Sequence, residues 1–383
     1  MTHFHYLIIG GGMTAAAAAR AIREIDPTGR VGLISAEPHP PYARPPLSKG
    51  LWKGDPESGI WRGTETLGVD LRLGRRVTGI DVKQRAVTDE RGDVVSYDKL
   101  LLATGGTPRR LPFGNEQIIY YRTYDDYRRV RALANEPRRF AVLGGGFIGS
   151  EVAAALRIVG REVVMLVPED GIGARVFPGD LSHFLAGYYR EQGVDVRTGE
   201  GLAALRQDAG TVVVKTTSGQ EVPVDVVIAG LGIKPSVELA EQAGLRVDNG
   251  IVVDEQLRTS VPEIFAAGDV ANFANPALGT RIRVEHEDNA NTMGAAAGRA
   301  MAGQGTAYTH LPFFYSDLFA LGYEAVGELD PRLETVSDWK EPFREGVVYY
   351  LKEGRVRGVL LWGIFGKVDD ARALIGEPLK ARL

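Results

Sequence analysis

The chain has 383 residues, no cysteine and a formal net charge of −4. Its length allows two or three domains with full hydrophobic cores, and an apolar fraction of 44% is ordinary for a soluble globular protein. The lack of cysteine excludes a redox-active disulfide and thiolate metal ligands. No apolar run reaches the ~20 residues that a membrane-spanning helix requires, and the charge gives no reason to expect nucleic-acid binding.

The N-terminal end of the chain leads directly into a predicted strand, residues 6–9. Because this strand begins so close to the first residue, we expect no leader peptide and a cytoplasmic protein. His3 and His5 are the only histidines with a spacing that could serve a metal ion. An exposed strand start explains them better, so we expect no metal site.

A glycine-rich turn follows the first strand. Gly10, Gly12 and Ala15 form a GxGxxA pattern before an alanine-rich helix. Glu37 lies just beyond the next predicted strand, residues 31–34, near the roughly 20-residue spacing of a carboxylate that binds a ribose. Strand, turn, helix and acidic residue together predict a dinucleotide site.

Prolines crowd residues 40–52, PPYARPPLSKGLW, directly after the first ribose position. We expect them to hold this loop extended and to place Arg44 and Lys49 against a pyrophosphate and a cofactor ring. A solvated loop without a role is the alternative. Further along, residues 101–112 end a strand in small residues, and their prolines mark a crossover into a second domain.

The second glycine-rich turn lies in residues 140–160, FAVLGGGFIGSEVAAALRIVG, and is a second copy of the same motif. Gly144, Gly146 and Gly149 form GxGxxG, which permits a tight turn and close approach of a pyrophosphate to a helix N-terminus. Glu169 follows the next predicted strand as the acidic residue of this copy. Two copies predict two dinucleotide sites, and two dinucleotides in one protein indicate electron transfer between them.

Three residues near the second turn carry predictions about chemistry. Phe147 and Glu151 do not serve phosphate binding, since a carboxylate at that position weakens the binding of an anion; they indicate reaction chemistry nearby. Core packing is the alternative for Phe147. Glu169 favours NADH over NADPH because its carboxylate repels a 2′-phosphate, although Arg175 leaves NADPH open.

The rest of the chain predicts that the first domain resumes and that a third domain follows it. Residues 263–273, EIFAAGDVANF, indicate that the first domain resumes after the second is inserted into it. Beyond residue 312, predicted strands at residues 325–329, 346–351 and 358–364 alternate with turns and end in a short helix near Asp369, which predicts a small α+β domain. We therefore expect an α/β fold with two Rossmann-like dinucleotide-binding domains, plus this third domain. The predicted boundaries are 1–111 with 234–309, then 112–233, then 310–383.

Several motifs of the chain, taken in order, resemble one family. PPYARPPLSK, ATGG, GGGFIGSE, AAGDV, RVEHEDNA and FYSDLFALGYEAVGE are similar to segments of the FAD-dependent reductases that include ferredoxin and rubredoxin reductases and apoptosis-inducing factor. The match covers nearly the whole chain. It implies a glutathione-reductase-like fold with FAD in the first domain and NAD(H) in the second. It also implies that the third domain covers the flavin and often supports a homodimer.

The resemblance also implies roles for individual residues. The FAD contacts it implies are Gly10, Gly12, Glu37, Arg44, Lys49, Thr104, Gly105, Asp269, Glu285, His286 and Tyr315. The NAD contacts it implies are Gly144, Gly146, Gly149 and Glu169. Lys49 would lie beside flavin N5 and pair with Glu151, Phe147 would swing aside for nicotinamide, and His286 would face the isoalloxazine. Unrelated surface charges are the alternative for Lys49 and Glu151, and a structural histidine is the alternative for His286.

Three functions remain open at this point. The first is an NADH-dependent reductase that passes electrons to a ferredoxin, a rubredoxin or a small acceptor such as a quinone. The second is an NADH oxidase acting through the flavin alone. The third is a redox sensor similar to apoptosis-inducing factor, with slow turnover and a stable charge-transfer complex. His286 and the GYEAVGE segment, residues 322–328, lean toward the third.

Overall fold

A computed structural model describes residues 1–208 and 210–379. The chain separates into two compact units, each assembled from several segments. The first unit comprises Met1–Ala43, Ser58–Thr107 and Lys234–Phe313. The second comprises Arg44–Glu57, Pro108–Ile233 and the chain from Phe314 onward. The three-domain division at residues 111, 233 and 309 stays a prediction.

The first unit is built on a seven-stranded sheet. Thr2–Ile9 lies between Val31–Ile34 and Val94–Leu102, and all three strands run parallel. Ile264–Ala266 adds to Val94–Leu102 in parallel, with Phe265 opposite Leu101, so this late segment of the chain joins the first sheet. Asp70–Arg72, Val77–Asp81 and Ala86–Asp89 complete the sheet. Val31–Ile34 and the C-terminal ends of Thr2–Ile9 and Val94–Leu102 are apolar because both faces of the sheet are buried there.

Two helices of the first unit pack with their backbones nearly in contact. Met13–Ile25 is the helix after the first glycine turn, and Glu287–Met301 crosses it. A Cβ built at Gly294 would lie 2.4 Å from the Thr14 carbonyl oxygen, and one at Gly298 would lie 2.4 Å from that of Ala18. Only glycine fits at such a crossing. The smaller elements of this unit are Glu57–Ile60, Thr64–Leu67, Gly106–Pro108, Glu238–Gln242, Ile251–Val252, Gly268–Val270, Ala271–Asn275 and Thr280–Ile282.

The second unit contains a parallel sheet of its own. The strand order is Asp195–Thr198, Glu162–Val167, Arg139–Leu143, Val226–Ala229 and Ile118–Tyr120. Its helices are Tyr124–Leu133, Phe147–Ile158 and Gly179–Glu191. An antiparallel sheet of Leu202–Asp208, Thr211–Thr216 and Glu221–Val224 packs near it. The short strand Ile233–Pro235 lies where the chain returns to the first unit.

The C-terminal part of the second unit is a five-stranded sheet. In sheet order its strands are Phe313–Leu318, Leu321–Gly327, Arg355–Trp362, Glu345–Lys352 and Glu334–Glu341, and helix Val368–Leu374 follows. The Tyr323 and Trp362 rings stack with centroids 5.7 Å apart, and Phe177 packs edge-on against both. The predicted strands 325–329, 346–351 and 358–364 correspond to the three inner strands. The two edge strands were not predicted.

The proline-rich loop differs from its prediction in its second half. Tyr42 pairs with Trp61 in an extended bridge, as expected of the first half. Pro45–Ser48 then forms a 3₁₀ turn and Gly50–Lys53 a short helix, so the expectation of an extended loop is wrong there. The physical reason is that proline at the first positions of a helical turn has the required φ and loses no hydrogen bond.

None of the helices in the described part of the chain combines the length and apolar character needed to cross a membrane.

Candidate functional site

The first glycine turn leaves room for a ligand at a helix N-terminus. Gly10 has φ +119°, and a Cβ there would lie 2.1 Å from the Ala103 carbonyl oxygen, so no other residue fits. Gly12 caps helix Met13–Ile25 without any side-chain hydrogen bond to its first amides. A Cβ built at Gly12 meets no atom within 4 Å. Free amides beside open space are what a phosphate group needs.

Two other residues predicted for the first unit's site, Thr104 and Asp269, lie at the same edge of its sheet as Gly10. Thr104 follows strand Val94–Leu102, Asp269 follows strand Ile264–Ala266, and Gly10 follows strand Thr2–Ile9. These three strands are parallel neighbours, so their carboxyl ends meet at one edge. Ligands of open α/β sheets bind outside this edge. The structure therefore brings Gly10, Thr104 and Asp269 together.

Thr104 and Asp269 are each held by a contact that the sequence did not reveal. The Thr104 hydroxyl donates to the Ser236 carbonyl at 2.8 Å, and the Ser236 amide donates to the Gly105 carbonyl at 3.0 Å. Arg283 donates to the Asp269 carbonyl at 3.0 Å and forms an ion pair with Glu285 at 2.7 Å. These contacts fix the backbone of the site.

Glu37 and His286 complete the predicted set in the first unit. The Tyr42 hydroxyl donates to Glu37 Oε2 at 2.5 Å, so the carboxylate is oriented by a neighbour five residues away. His286 is the N-cap residue of helix Glu287–Met301, with an extended backbone and no side-chain capping bond.

The second glycine turn repeats the geometry of the first. Gly144 has φ +100°, and its Cβ would lie 2.7 Å from the Gly230 carbonyl oxygen. A Cβ at Gly149 would lie 2.0 Å from the Gly144 carbonyl oxygen, so the helix starts directly against the strand end. Gly146 is the N-cap of helix Phe147–Ile158, and a Cβ there meets nothing within 4 Å. This turn also fits a pyrophosphate.

Glu169 forms an ion pair that bears on coenzyme choice. Arg175 Nε and Nη2 lie 2.7 Å and 2.6 Å from Glu169 Oε1. The arginine side chain is 83% exposed and the glutamate 26%. An ion pair this open to water contributes little stability and separates readily.

Lys49 and Glu151 form a buried ion pair in the second unit. Lys49 Nζ lies 2.8 Å from Glu151 Oε1, and the two side chains are 12% and 3% exposed. Ser316 Oγ donates to the same carboxylate oxygen at 2.5 Å, and Ser48 Oγ donates to Glu151 Oε2 at 2.5 Å. The predicted pair of charges is therefore present in the structure, and two serines that the sequence did not single out complete its shell.

Aromatic rings surround this ion pair. Lys49 Nζ lies 5.3 Å from the centroid of the Tyr315 ring. Burial, and then the Glu151 charge, raises the pKa of both Tyr189 and Tyr323 well above the usual value. Since these phenols stay neutral at any physiological pH, Lys49 and Glu151 are the charges that define the electrostatics of this cluster.

Phe147 is the first residue of the helix after the second glycine turn. Its ring lies 5.5 Å from that of Phe314, centroid to centroid, and Phe314 in turn packs against Tyr323 at 6.2 Å. Phe314 could not be predicted from the sequence because it contacts a residue that is distant along the chain.

Arg44, also in the second unit, donates to the Arg122 carbonyl at 2.9 Å.

Comparison with known proteins agrees with this geometry. A family profile described as "Pyridine nucleotide-disulphide oxidoreductase" matches residues 4–294. A second, described as "Apoptosis-inducing factor, mitochondrion-associated, C-term", matches residues 297–342 and 337–377.

Individual relatives extend the match along the whole chain. Apoptosis-inducing factor 1, mitochondrial, of Dictyostelium discoideum is 33% identical over 97% of this chain and 78% of that protein. The 5,5'-dehydrodivanillate O-demethylase ferredoxin reductase subunit of a Sphingobium species is 37% identical over 93% of this chain and 89% of that protein. The covalent putidaredoxin reductase–putidaredoxin complex contains a chain of 29% identity, with a TM-score of 0.92 and coverage of 100% of this chain and 95% of that one. The α/β fold class expected from the sequence is thereby confirmed.

Proposed function

We propose a specific reaction for this chain, which belongs to the pyridine nucleotide-disulphide oxidoreductase family: oxidation of NADH with bound FAD, and delivery of the electrons to a ferredoxin. Membership of this family, in its ferredoxin reductase branch, implies binding of FAD and NAD(H). The disulphide chemistry in the family's name is not available to a chain without cysteine. The buried Lys49–Glu151 pair carries the proposal, because Glu151, on the second glycine helix, holds the Lys49 ammonium at a fixed position beside that helix.

The chain's residues divide the work of binding between the two glycine turns. We assign FAD to the first, where Gly12 leaves space at a helix N-terminus and where Thr104 and Asp269 lie at the same sheet edge. We assign NADH to the second, where Gly146 leaves the same kind of space. Hydride acceptance and release of single electrons are the chemistry that FAD supplies when bound.

Lys49 would stabilise the negative charge that arrives with the electrons. A preorganised ammonium is most effective where water is excluded, and this side chain is nearly buried. Glu151 holds the ammonium in place and keeps its charge paired in the resting protein. No residue in this scheme acts as a nucleophile or gives up a proton. Phe147 would leave its position against Phe314 to admit nicotinamide.

The coenzyme proposed is NADH rather than NADPH. Glu169 would accept from a free ribose 2′-hydroxyl and repel a 2′-phosphate. Arg175 must first break its contact with this carboxylate, which costs little free energy because the arginine side chain is exposed to water.

Two relatives support ferredoxin as acceptor, since one is named as a ferredoxin reductase subunit and another is solved in a complex with putidaredoxin.

A second candidate is a slow NADH-dependent sensor. It is supported by the relatedness to apoptosis-inducing factor over nearly the whole chain and by the profile match in the C-terminal residues. The two candidates share every site residue and differ in the speed of reoxidation.

Anaerobic stopped-flow mixing of the purified flavoprotein with NADH, and then with a ferredoxin, tests both. We expect rapid bleaching of the flavin by NADH and rapid recovery of its colour with the ferredoxin. Slow bleaching, with a persistent long-wavelength band that neither ferredoxin nor oxygen discharges, would favour the sensor. A colourless protein that binds no FAD would refute the proposal as a whole.

A further inference from the structure

We propose that Ser48 and Ser316 are positioning residues, which hold the Glu151 carboxylate in the one orientation that places the Lys49 ammonium. The inference rests on the proposed function, in which that ammonium stabilises charge on bound FAD. It adds two residues to the reaction machinery, one of them from the C-terminal sheet.

The carboxylate of Glu151 is fixed at both of its oxygens. Oε1 accepts from Lys49 Nζ at 2.8 Å and from Ser316 Oγ at 2.5 Å, while Oε2 accepts from Ser48 Oγ at 2.5 Å. Rotation of the carboxylate about its terminal bond would break all three contacts. Both serines are buried, so water is not at hand to replace a lost hydroxyl.

An ion pair alone would not fix the ammonium. Lysine carries its charge on a four-carbon stem with many rotamers, so its position is set by its partner. A buried carboxylate in turn needs its remaining lone pairs satisfied, or it moves or reorganises. Among the described residues, the titratable groups that interact with Glu151 include Lys49 and the phenols of Tyr121, Tyr189 and Tyr323. The pKa of each phenol is raised by burial. Since the phenols are neutral, Lys49 is the one cation among these groups, and the two serines are the neutral donors that complete the shell.

Asp317 offers a matched control beside Ser316. Its carboxylate pairs with Lys53 Nζ at 3.0 Å, and both side chains are partly exposed. Ser316 and Asp317 thus tie the C-terminal sheet to the rest of the same unit by adjacent residues, one through Glu151 and one not. A change that merely loosens this sheet would act at either position, whereas a change that acts on the carboxylate would act only at Ser316.

The test compares Ser48→Ala, Ser316→Ala and Asp317→Asn in the holoprotein. The first measurement is the flavin midpoint potential, obtained by reductive titration with dithionite, which requires no NADH. The second is the rate of flavin bleaching at saturating NADH, with the Kd of NADH from the same traces. We expect each serine variant to lower the potential and to slow bleaching about tenfold, with an unchanged Kd. Asp317→Asn should match the wild type in all three quantities.

A double-mutant comparison identifies the route of the effect. If the serines act through the carboxylate, Ser316→Ala should change neither quantity in a Glu151→Gln background. Ser316→Cys, which keeps a small polar side chain, serves if the alanine variant does not fold. The inference is overturned if the serine variants have the wild-type midpoint potential, or if Asp317→Asn has an equal effect. It is also overturned if the effect of a serine variant persists in the Glu151→Gln background. Failure of NADH to bleach the wild type would refute the proposed function instead and leave the potentials interpretable.

Discussion

Phe147 packs against Phe314 with ring centroids 5.5 Å apart, which joins the second glycine turn to the first strand of the C-terminal sheet. An aromatic pair of this kind contributes about 0.5–1.5 kcal/mol beyond the area that it buries. If nicotinamide has to displace Phe147, that contribution is part of what NADH binding must overcome.

Substitution of Phe314 should therefore strengthen NADH binding. In Phe314→Leu, the Kd of NADH should fall about two- to tenfold, because Phe147 leaves a weaker contact. Flavin bleaching at increasing NADH concentration measures it. Phe365→Leu is the control, since that ring is 59% exposed and should leave the Kd unchanged. Weaker NADH binding in Phe314→Leu would show that Phe147 supports nicotinamide rather than blocking it.

Gly146 and Gly149 in the second turn should respond differently to alanine. Gly146→Ala introduces a methyl group into open space, so the free energy of unfolding should stay within about 0.5 kcal/mol. NADH binding should nevertheless weaken by at least about tenfold, because the methyl group occupies the approach of the pyrophosphate.

Gly149→Ala is the contrasting variant. Its Cβ would lie 2.0 Å from the Gly144 carbonyl oxygen, so helix and strand must separate. We expect a loss of about 1–3 kcal/mol in urea unfolding. Equal stability of the two variants would contradict the close packing described for this turn.

Removal of the Lys49 charge should affect both stability and rate. Lys49→Met leaves a buried carboxylate without its counter-charge, which should cost about 3 kcal/mol in urea unfolding. Bleaching by NADH should slow about a hundredfold. Lys53→Met removes a partly exposed ion pair four residues away and should change stability by less than about 1 kcal/mol. A wild-type bleaching rate in Lys49→Met would refute its role.

Coenzyme preference should follow Glu169. Glu169→Gln removes the charge that repels a 2′-phosphate, so the ratio of kcat/KM for NADH to that for NADPH should fall at least about tenfold. Arg175→Ala should raise this ratio, since it removes both a competitor for the carboxylate and a partner for the phosphate. Steady-state kinetics with both coenzymes measures the two effects, and parallel changes in the two variants would contradict the assignment.

The decrease in the free energy of unfolding at low pH should depend on Asp89. Burial alone would raise the pKa of this carboxyl, but hydrogen bonds from Arg75 at 2.7 Å and from the amides of Arg91 and Asp93 hold the pKa below its usual value. A lowered folded-state pKa stabilises the protein above the unfolded pKa, and this contribution is lost as pH falls through the folded pKa.

Asp89→Asn should accordingly flatten the loss of stability below about pH 4, where unfolded aspartate begins to protonate. Urea unfolding at several pH values measures the slope. Asp93→Asn, at a more exposed position that also pairs with Arg75, should change the slope less. An unaltered slope in Asp89→Asn would place the acid-sensitive group elsewhere.

The two glycine turns could be predicted because their signals are local. A strand, three small residues and a helix stand within one short stretch, and the Cβ that cannot fit at Gly149 would meet Gly144, five residues earlier in the same pattern. The edge strand Glu334–Glu341 was missed, since ETVSDWKE has neither an apolar run nor a clear alternation. The 3₁₀ turn at Pro45–Ser48 was missed because proline permits both extended and helical backbone.

The two serines that donate to the Glu151 carboxylate could not be predicted from the sequence. Ser48 lies 103 residues before Glu151 and Ser316 lies 165 residues after it. A serine carries no pattern that indicates its partner, and the contact exists only when three separate segments have folded together. The pairing of Lys49 with Glu151 was expected solely from the resemblance to known reductases.

The segment Arg44–Glu57 has a practical consequence for anyone who wishes to produce the second nucleotide fold as a recombinant fragment. It lies between two segments of the first unit along the chain, yet it packs with the second. Trp52 lies edge-on against Tyr127 at 5.8 Å, and Tyr124 donates its hydroxyl to Glu57. Expression of residues 108–233 alone would expose the surface that Trp52 covers, so a usable clone must restore this short piece by fusion or as a separate peptide.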